Sequence, residues 1–409
     1  MPILTTTATP DLNVTQSRKG KGFSLAFALV TSLFFLWGLA YGLLDVLNKH
    51  FQDALQIDKA RSTLLQTAYF GAYFLIALPA GYFMEKFGYK RGIIFGLGLY
   101  ATGAFLFYPS AEILSFPFFL LSMFVLASGL VFLETAANPY VTVLGAPASA
   151  SFRINLAQSF NGVGTFIGPL IGGLFFFNEE ATGATSLGAV KIVYIVIAIM
   201  VLLVAAVFWK TSLPEVRVTD GDAALEGKTM NILRHKPFTN SLVAQFFYIA
   251  AQVGIAALFI NYCIENNAAI TNTKASYLLS VSLLVFTLGR FTGTALMRRF
   301  APRKLLQIFA FINIALCIIT VLNYGWISIY SLIAIFFFES IMFPTIFALG
   351  LRGLGAQTKK GASLLIMTIV GGAIMPYFMG LVADHSSTAI AYLIPVFCFA
   401  VVAWYARKD

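Results

Sequence analysis

The sequence predicts an all-α membrane protein with twelve transmembrane helices in two pseudo-symmetric six-helix bundles. Three observations lead to this fold class. Of the 409 residues, 59% are hydrophobic and only 11% are charged, whereas soluble proteins carry about 25% charged residues. About twelve apolar runs approach or exceed the roughly 20 residues that a bilayer-spanning helix requires. Short sequence elements of the first six runs also recur, in the same order, in the last six.

The apolar runs form two sets of six, separated by one polar stretch. The first set covers 24–50, 64–87, 92–108, 118–144, 156–177 and 191–209. The second set covers 241–263, 277–296, 304–322, 327–350, 362–383 and 389–405. We therefore predict an N-terminal tail over 1–22, helical bundles over 23–209 and 240–406, and a linker over 210–239.

Basic residues are distributed unevenly between the two sides of the predicted membrane. Cytoplasmic loops of membrane proteins carry an excess of Lys and Arg, and one orientation places most of these residues on a single side together with both termini. We therefore predict cytoplasmic termini, and we attribute the formal charge of +10 to this rule rather than to nucleic-acid binding. We expect a multi-pass protein of a plasma membrane, such as a bacterial inner membrane, that contacts the lipid bilayer and acts as a monomer.

The two bundles are related by an internal repeat. Three residues of the fourth run have counterparts in the tenth run: Glu134, Thr135 and Pro139 correspond to Glu339, Ser340 and Pro344. Two parallel repeats joined by a linker are typical of secondary transporters in which the substrate binds near the midplane, between the halves.

Carboxylates occur inside runs that are otherwise apolar. A charged residue at the centre of a membrane helix costs about 2.5–3.5 kcal/mol on insertion scales, so such residues face a polar cavity or a partner. We interpret Asp45 and Glu134 as titrating groups of a transport pathway. For a third acid, Glu339, two alternatives stay open: a role in coupling, or an ion pair with a group such as Arg290.

Helical spacing places further polar and aromatic side chains on common faces of the first, fourth, fifth and seventh runs. The residues predicted to bind substrate are Trp37, Tyr41, Asn138, Gln158, Asn161, Gln245, Tyr248 and Gln252. Amides pair with hydroxyl groups and aromatic faces stack on a pyranose ring, so this set suits a neutral, hydroxyl-rich ligand. The alternative for any one amide is a hydrogen bond between helices.

The segment between the second and third runs carries a candidate gating loop, formed by Gly81, Glu85, Lys86 and Arg91. Gly81 would let two helices approach closely, and the charged side chains would hold helix ends together in one transport state. The alternative is an ordinary basic loop on the cytoplasmic side. The segment resembles the loop signature of the major facilitator superfamily.

A more specific resemblance lies in the fourth and fifth runs. The stretch LETAANPYVTVLG over 133–145, followed by FRINLAQSFN over 152–161, closely resembles the fucose–galactose–glucose–hexose proton symporter family, in its L-fucose permease branch. The resemblance runs from the first helix to the twelfth. It implies a sugar:proton symporter in which Asp45 and Glu134 bind protons, while Trp37, Gln158 and Asn161 contact the sugar.

The resemblance implies import of a monosaccharide, L-fucose or a related hexose, by alternating access. Alternatives are uptake of glucose, galactose or N-acetylglucosamine, because the residues around Asp45 lack the asparagines of the fucose permeases. A proton-driven exporter of sugars or drugs is a further alternative, because the segment from Gly164 to Gly173 resembles an element associated with antiporters. Glu339 stands where the fucose permeases have no acid.

Several features speak against an enzyme or a metalloprotein. No loop is long enough for a catalytic domain, and the three histidines, His50, His235 and His385, share no metal-binding spacing. Three cysteines without spaced pairs do not form a disulfide framework. We therefore expect a transporter that uses no metal and no cofactor, with the proton as its coupling ion.

Overall fold

The computed structural model describes residues 21–143, 150–177, 187–211, 232–297, 299–352, 354 and 358–407. The helices of the first half are α1 (Lys21–Leu55), α2 (Lys59–Ser62), α3 (Leu64–Phe87), α4 (Tyr89–Glu112), α5 (Phe116–Val143), α6 (Ala150–Phe175) and α7 (Leu187–Lys210). Those of the second half are α8 (Lys236–Ala257), α9 (Phe259–Asn266), α10 (Asn272–Leu296), α11 (Pro302–Leu322), α12 (Trp326–Glu339), α13 (Met342–Gly350), α14 (Thr358–Met367), α15 (Gly371–His385), α16 (Thr388–Ala391) and α17 (Leu393–Arg407). Most of the predicted tail and linker lies outside the described residues.

These helices confirm the predicted fold class. Within the described ranges, 11 helical segments are long and apolar enough to cross a membrane. The twelfth is α6, which is 26 residues long but has a lower hydropathy because of its amides and glycines. With twelve crossings, α1 begins and α17 ends on the same side of the bundle, which we call the proximal face. The opposite side, where α1 ends at Leu55, is the distal face.

Some crossing segments are interrupted where the sequence suggested single runs. The tenth breaks between α12 and α13, and the twelfth breaks between α16 and α17. The seventh segment also breaks, between α8 and α9, and the eleventh breaks between α14 and α15, neither of them one turn before a proline. The breaks of the tenth and twelfth segments each lie one helical turn before a proline, Pro344 or Pro395. Proline lacks the N–H that would bond to the carbonyl four residues earlier, so the helical hydrogen-bond ladder stops there.

The first half is organised around the close contact of α1 with α6. A Cβ added at Gly38 would collide with the carbonyl oxygen of Asn161, and one added at Gly168 would lie 2.5 Å from the carbonyl carbon of Gly42. Only glycine permits backbones to approach this closely. The glycine segment that resembles an antiporter element therefore has a packing role in this molecule, which is to hold α6 against α1.

The two halves are joined by hydrogen bonds at the distal face. The Asn48 amide donates to the carbonyl oxygen of Ala257 at 2.7 Å, and the Asn272 amide donates to the Asp53 carboxylate at 2.8 Å. Between these contacts and the membrane centre, α6 packs along α10. The structure is therefore closed between the halves at its distal face.

The candidate gating loop differs from expectation in one respect. Nothing lies within 4 Å of a Cβ added at Gly81, so the proposed close helix approach does not occur there in this conformation. The repeat counterpart behaves differently, since a Cβ at Gly293 would collide with the side chain of Ile341. Lys86 and Arg91 are exposed at the proximal face. The Glu85 side chain lies outside the described atoms, and the gating role stays a prediction.

Candidate functional site

Asp45 lies deep in the first half, on α1, and is only 3% exposed. One of its carboxylate oxygens accepts a hydrogen bond from the Gln66 amide of α3 at 3.1 Å. Gln66 is itself fully buried. A buried carboxylate is costly unless it is hydrogen-bonded or protonated, so Gln66 is the group that stabilises Asp45 at this position.

Glu134 lies on α5 and is half-buried. It borders a small recess whose other lining residues are Leu33, Phe34, Trp37, Leu133 and Ala137. Its Oε2 atom has no hydrogen-bond partner among the described residues, while the Tyr73 hydroxyl approaches the same carboxyl group. Glu134 thus keeps one oxygen available for a ligand hydroxyl or a proton.

A cluster of three tyrosines, Tyr41, Tyr69 and Tyr73, lies between the two acids. The Tyr69 and Tyr73 rings are stacked, with centroids 5.5 Å apart, and the Tyr41 ring lies 6.3 Å from that of Tyr69. Tyr69 is within electrostatic range of both Glu134 and Asp45. This tyrosine cluster therefore connects the two acids that the sequence analysis selected separately.

The contribution of α3 to this site was missed from the sequence. Gln66, Tyr69 and Tyr73 follow one another at intervals of three and four residues, which places them on one face of a helix. That spacing is the same signal that identified the amides of the fifth run. The signal of this face is weak in the sequence, because the second run is largely apolar and contains no charged residue before its proximal end.

The two predicted amides of α6 differ in their surroundings: Asn161 forms a hydrogen bond between helices, whereas Gln158 is half-buried. The Asn161 amide donates to the carbonyl oxygen of Phe34 at 3.2 Å, so in this conformation it contributes to the contact between α1 and α6. Gln158, almost one turn earlier, is half-buried, as is Asn138, one turn after Glu134 on α5. Asn161 is therefore a helix-packing residue here, and direct sugar contact stays a prediction for all three.

The second half contributes α8 to the predicted site. Gln245 and Tyr248 are fully buried, and Gln252 is half-buried one turn beyond. The Tyr248 hydroxyl donates to the backbone oxygen of Glu339 at 3.1 Å. In contrast, no described residue forms a hydrogen bond with either side-chain polar atom of Gln245. Because buried polar groups are normally paired, Gln245 retains hydrogen-bonding capacity that a ligand or water can use.

Glu339 and Arg290 do not form the ion pair that the sequence left open. Both residues are described, and no contact of 4.0 Å or less joins their charged groups. Glu339 is fully buried, and within the part of the chain that the structure describes neither of its carboxylate oxygens has a hydrogen-bond partner. The Arg290 guanidinium instead lies 5.0 Å from the ring centroid of Phe286. Glu339 is therefore a buried acid whose carboxylate has no hydrogen bond or ion pair with the described residues in this conformation.

Tyr41 links the two halves of the site. It lies within electrostatic range of Asp45 in the first half, and of Glu339 and Tyr248 in the second. The described residues thus bring together the predicted members on α1, α5 and α8 around one interior region between the halves. Such a region offers two acids for proton binding, with aromatic faces and amides for a hydroxylated ligand. Within the described ranges no group of three or more His, Cys, Asp or Glu side chains is arranged to hold a metal.

Comparison with known proteins agrees with this architecture. The sequence model of the Major Facilitator Superfamily matches residues 25–369. The L-fucose-proton symporter of Escherichia coli K12 is 39% identical over 95% of this chain and 94% of its own length. A glucose/galactose transporter of Brucella abortus is 37% identical over 96% and 95%.

A solved structure gives the same result. The crystal structure of a major facilitator transporter, FucP, in the outward conformation aligns with a TM-score of 0.70 at 39% identity, covering 95% of this chain and 99% of the other. The family model spans more than half of the chain, and the symporter at 39% identity is matched over nearly the full length of both chains. The chain therefore belongs to the Major Facilitator Superfamily.

Proposed function

We propose that this protein is a proton-coupled symporter that imports a monosaccharide by alternating access. The observation that carries the proposal is the connected pair of intramembrane acids. Asp45 and Glu134 lie on different helices of one half and are joined by the tyrosine cluster. Transporters use intramembrane acids of this kind as proton relays.

Glu134 is the acid that links proton and sugar. Its free Oε2 atom accepts a proton, and the resulting carboxylic acid donates a hydrogen bond to a sugar hydroxyl. Loss of that proton removes the donor and favours release of the sugar. Asp45 is almost fully enclosed and exchanges its proton only when the conformation of the protein opens a path to it.

The distal face is outward in this proposal. Exposed basic residues lie at the proximal face, among them Lys86, Arg91, Arg299 and Arg352, and the positive-inside rule assigns such a face to the cytoplasm. The protein is then an inner-membrane carrier whose outward path is closed in this structure. Both chain termini are cytoplasmic.

Two sugar classes are supported by the relatives. The symporter at 39% identity is named for L-fucose, and the transporter at 37% is named for glucose and galactose. The higher identity places L-fucose first. Glucose and galactose stay candidates because the segment before Asp45 reads Tyr41-Gly-Leu-Leu and lacks the asparagines expected of a fucose permease. L-fucose or a related hexose is the first candidate, and glucose or galactose is the second.

Uptake into proteoliposomes tests this function. An inwardly directed proton gradient should drive accumulation of one labelled sugar from a panel of L-fucose, D-galactose, D-glucose and N-acetylglucosamine, and a protonophore should abolish it. Release of preloaded sugar under the same gradient would favour an exporter. Gradient-independent equilibration of every sugar would contradict coupling to protons.

A further inference from the structure

Two polar side chains are enclosed on neighbouring helices of the second half. Glu339, the last residue of α12, and Asn313, in the middle of α11, are both 0% exposed. Neither carboxylate oxygen of Glu339 and neither side-chain polar atom of Asn313 has a hydrogen-bond partner among the described residues. Buried polar groups are normally paired, so each exception requires an explanation. Two such exceptions on adjacent helices indicate a site.

The face of α11 that carries Asn313 borders the end of α12. Asn313 shares this face with Phe309 and Cys317, which lie four residues before it and four residues after it. The Phe309 ring contacts that of Phe338, the neighbour of Glu339 in α12, with centroids 5.1 Å apart. Cys317 is within electrostatic range of Glu339 itself. The amide and the acid therefore belong to one region between the two helices.

The position of Glu339 within its helix disfavours a negative charge. Helix α12 ends at this residue, and the C-terminal end of a helix carries a partial negative charge of its own. The Glu339 backbone oxygen accepts a hydrogen bond from the Tyr248 hydroxyl at 3.1 Å, which holds the helix end in place without pairing the carboxyl group. An ionised carboxylate would therefore be buried and unpaired beside a partial charge of the same sign.

The titratable and charged groups around Glu339 do not balance such a charge. They come from five helices: Tyr41 on α1, Tyr248 on α8, Arg290 on α10, Cys317 on α11 and Cys398 on α17. Tyrosine and cysteine side chains are ordinarily uncharged at neutral pH. The Arg290 guanidinium is within electrostatic range of Tyr41 and Tyr248, but it forms no ion pair with Glu339, and both residues are described. An isolated buried carboxylate is so costly that the group takes up a proton instead.

We propose that Glu339 is a proton-binding site of the second half, separate from the two acids of the first half, and that Asn313 is its positioning residue. Glu339 holds its proton in the conformation described here, and the Asn313 amide dipole orients the resulting neutral acid from the facing helix. Because the site is enclosed, the proton leaves only when a movement of the end of α12 opens it to water. The existence of the site does not rest on the proposed function, whereas a contribution of its proton to sugar uptake does.

Infrared difference spectroscopy of the reconstituted protein tests the bound proton. A protonated carboxylic acid has a carbonyl stretch that is resolved from the stretches of an ionised carboxylate. Glu339→Gln should remove one such band at neutral pH, because glutamine matches the protonated acid in size and charge but lacks this vibration. Glu112→Gln is the matched control, since Glu112 is an exposed acid paired with Lys191, and it should keep the band. Equal spectra of the two variants in this region would overturn the proposal.

The double variant Asp45→Asn/Glu134→Gln tests whether the site is separate from the first half. It removes the two first-half acids, so the band of Glu339 should remain in the double variant and disappear when Glu339→Gln is added. A double variant that already lacks the band would assign the proton to the first-half acids and refute a separate site. The measurement requires no sugar. If the band behaves as expected while a proton gradient drives no sugar uptake by the unsubstituted protein, the site stands and the proposed function fails.

Asn313→Leu tests the positioning residue. Leucine is close to asparagine in size but has no amide dipole, so the carbonyl band of Glu339 should move to a higher frequency, as for an acid without polar neighbours. Thr320→Val is the matched control, because Thr320 lies on the same buried face of α11 while its hydroxyl donates to the Leu316 backbone oxygen of its own helix at 2.9 Å. A purely structural role of Asn313 would lower thermal stability without moving the band. An unshifted band in Asn313→Leu would therefore refute the positioning role.

Discussion

Asp45, in the first half, accepts a hydrogen bond from Gln66 at 3.1 Å, whereas Glu339, in the second half, has no partner for either carboxylate oxygen. The residues around the two acids differ in the same way. The tyrosine cluster lies between the first-half acids, while Gln245 of the second half is buried without side-chain hydrogen bonds to the described residues. The comparison indicates that the first half holds in position the acids that we propose to bind protons. The second half keeps hydrogen-bonding groups that are available to another state or to a ligand.

The largest effect should come from Asp45→Asn. The amide is close in size but cannot take up and release a proton, so gradient-driven accumulation should fall to passive equilibration. Counterflow exchange, which needs no net proton movement, should continue. Asp58→Asn, a change at an exposed acid of the same half, should transport normally. Active accumulation by Asp45→Asn would remove this residue from the coupling mechanism.

Glu134→Gln should uncouple sugar binding from pH. The glutamine amide donates a hydrogen bond permanently, as the protonated acid does, so sugar affinity should at least equal that of the unsubstituted protein and should no longer vary with pH. Glu112→Gln, at a surface acid that bonds to Lys191, is the control. Tryptophan fluorescence titration with sugar across a pH series provides the measurement. A persistent pH dependence in Glu134→Gln would mean that another group titrates.

Substitutions of the two α6 amides, Gln158 and Asn161, should have different effects on stability. A hydrogen bond to a ligand hydroxyl contributes about 0.5–1.5 kcal/mol and more when a partner is left unpaired, so Gln158→Ala should weaken sugar binding by roughly three- to a hundred-fold. Asn161→Ala should weaken binding and also lower the melting temperature, because it removes the bond to the Phe34 carbonyl. Calorimetric binding and thermal unfolding measure the two effects. Unaltered affinity in both variants would assign these amides to helix packing alone.

The smallest effect is expected at Glu339. Glu339→Gln should reduce uptake partially, since we propose that the first-half acids carry the coupling, and Arg290→Gln should act independently because the two groups do not pair here. Initial uptake rates of the single and double variants form a mutant cycle. A coupling energy above about 0.5 kcal/mol would reveal an ion pair in another conformation, and full activity of Glu339→Gln would leave this acid without a role in transport.

The sequence was a good guide to the fold and a partial guide to the site. Membrane crossings depend on apolar length, which is local, so the twelve runs and the repeat were readable. Asp45 and Glu134 were readable because charge inside an apolar run is conspicuous. Gln66 and Tyr73 were not, since their importance comes from contact with residues on other helices. The hydrogen bonds from the backbone N–H groups of Lys59 and Ala60 to the Asp384 carboxylate could not be predicted either, because these segments meet only in the folded chain.

The glycine contact between α1 and α6 has a mechanical consequence. Backbones that touch at Gly38 and Gly168 leave no room for sliding, so the two helices must move as one rigid body. Asp45 on the first helix and Gln158 on the second then keep a fixed separation throughout the cycle. We therefore expect the first half to present both residues as parts of one rigid unit. Larger side chains along this seam should impair folding before they alter selectivity.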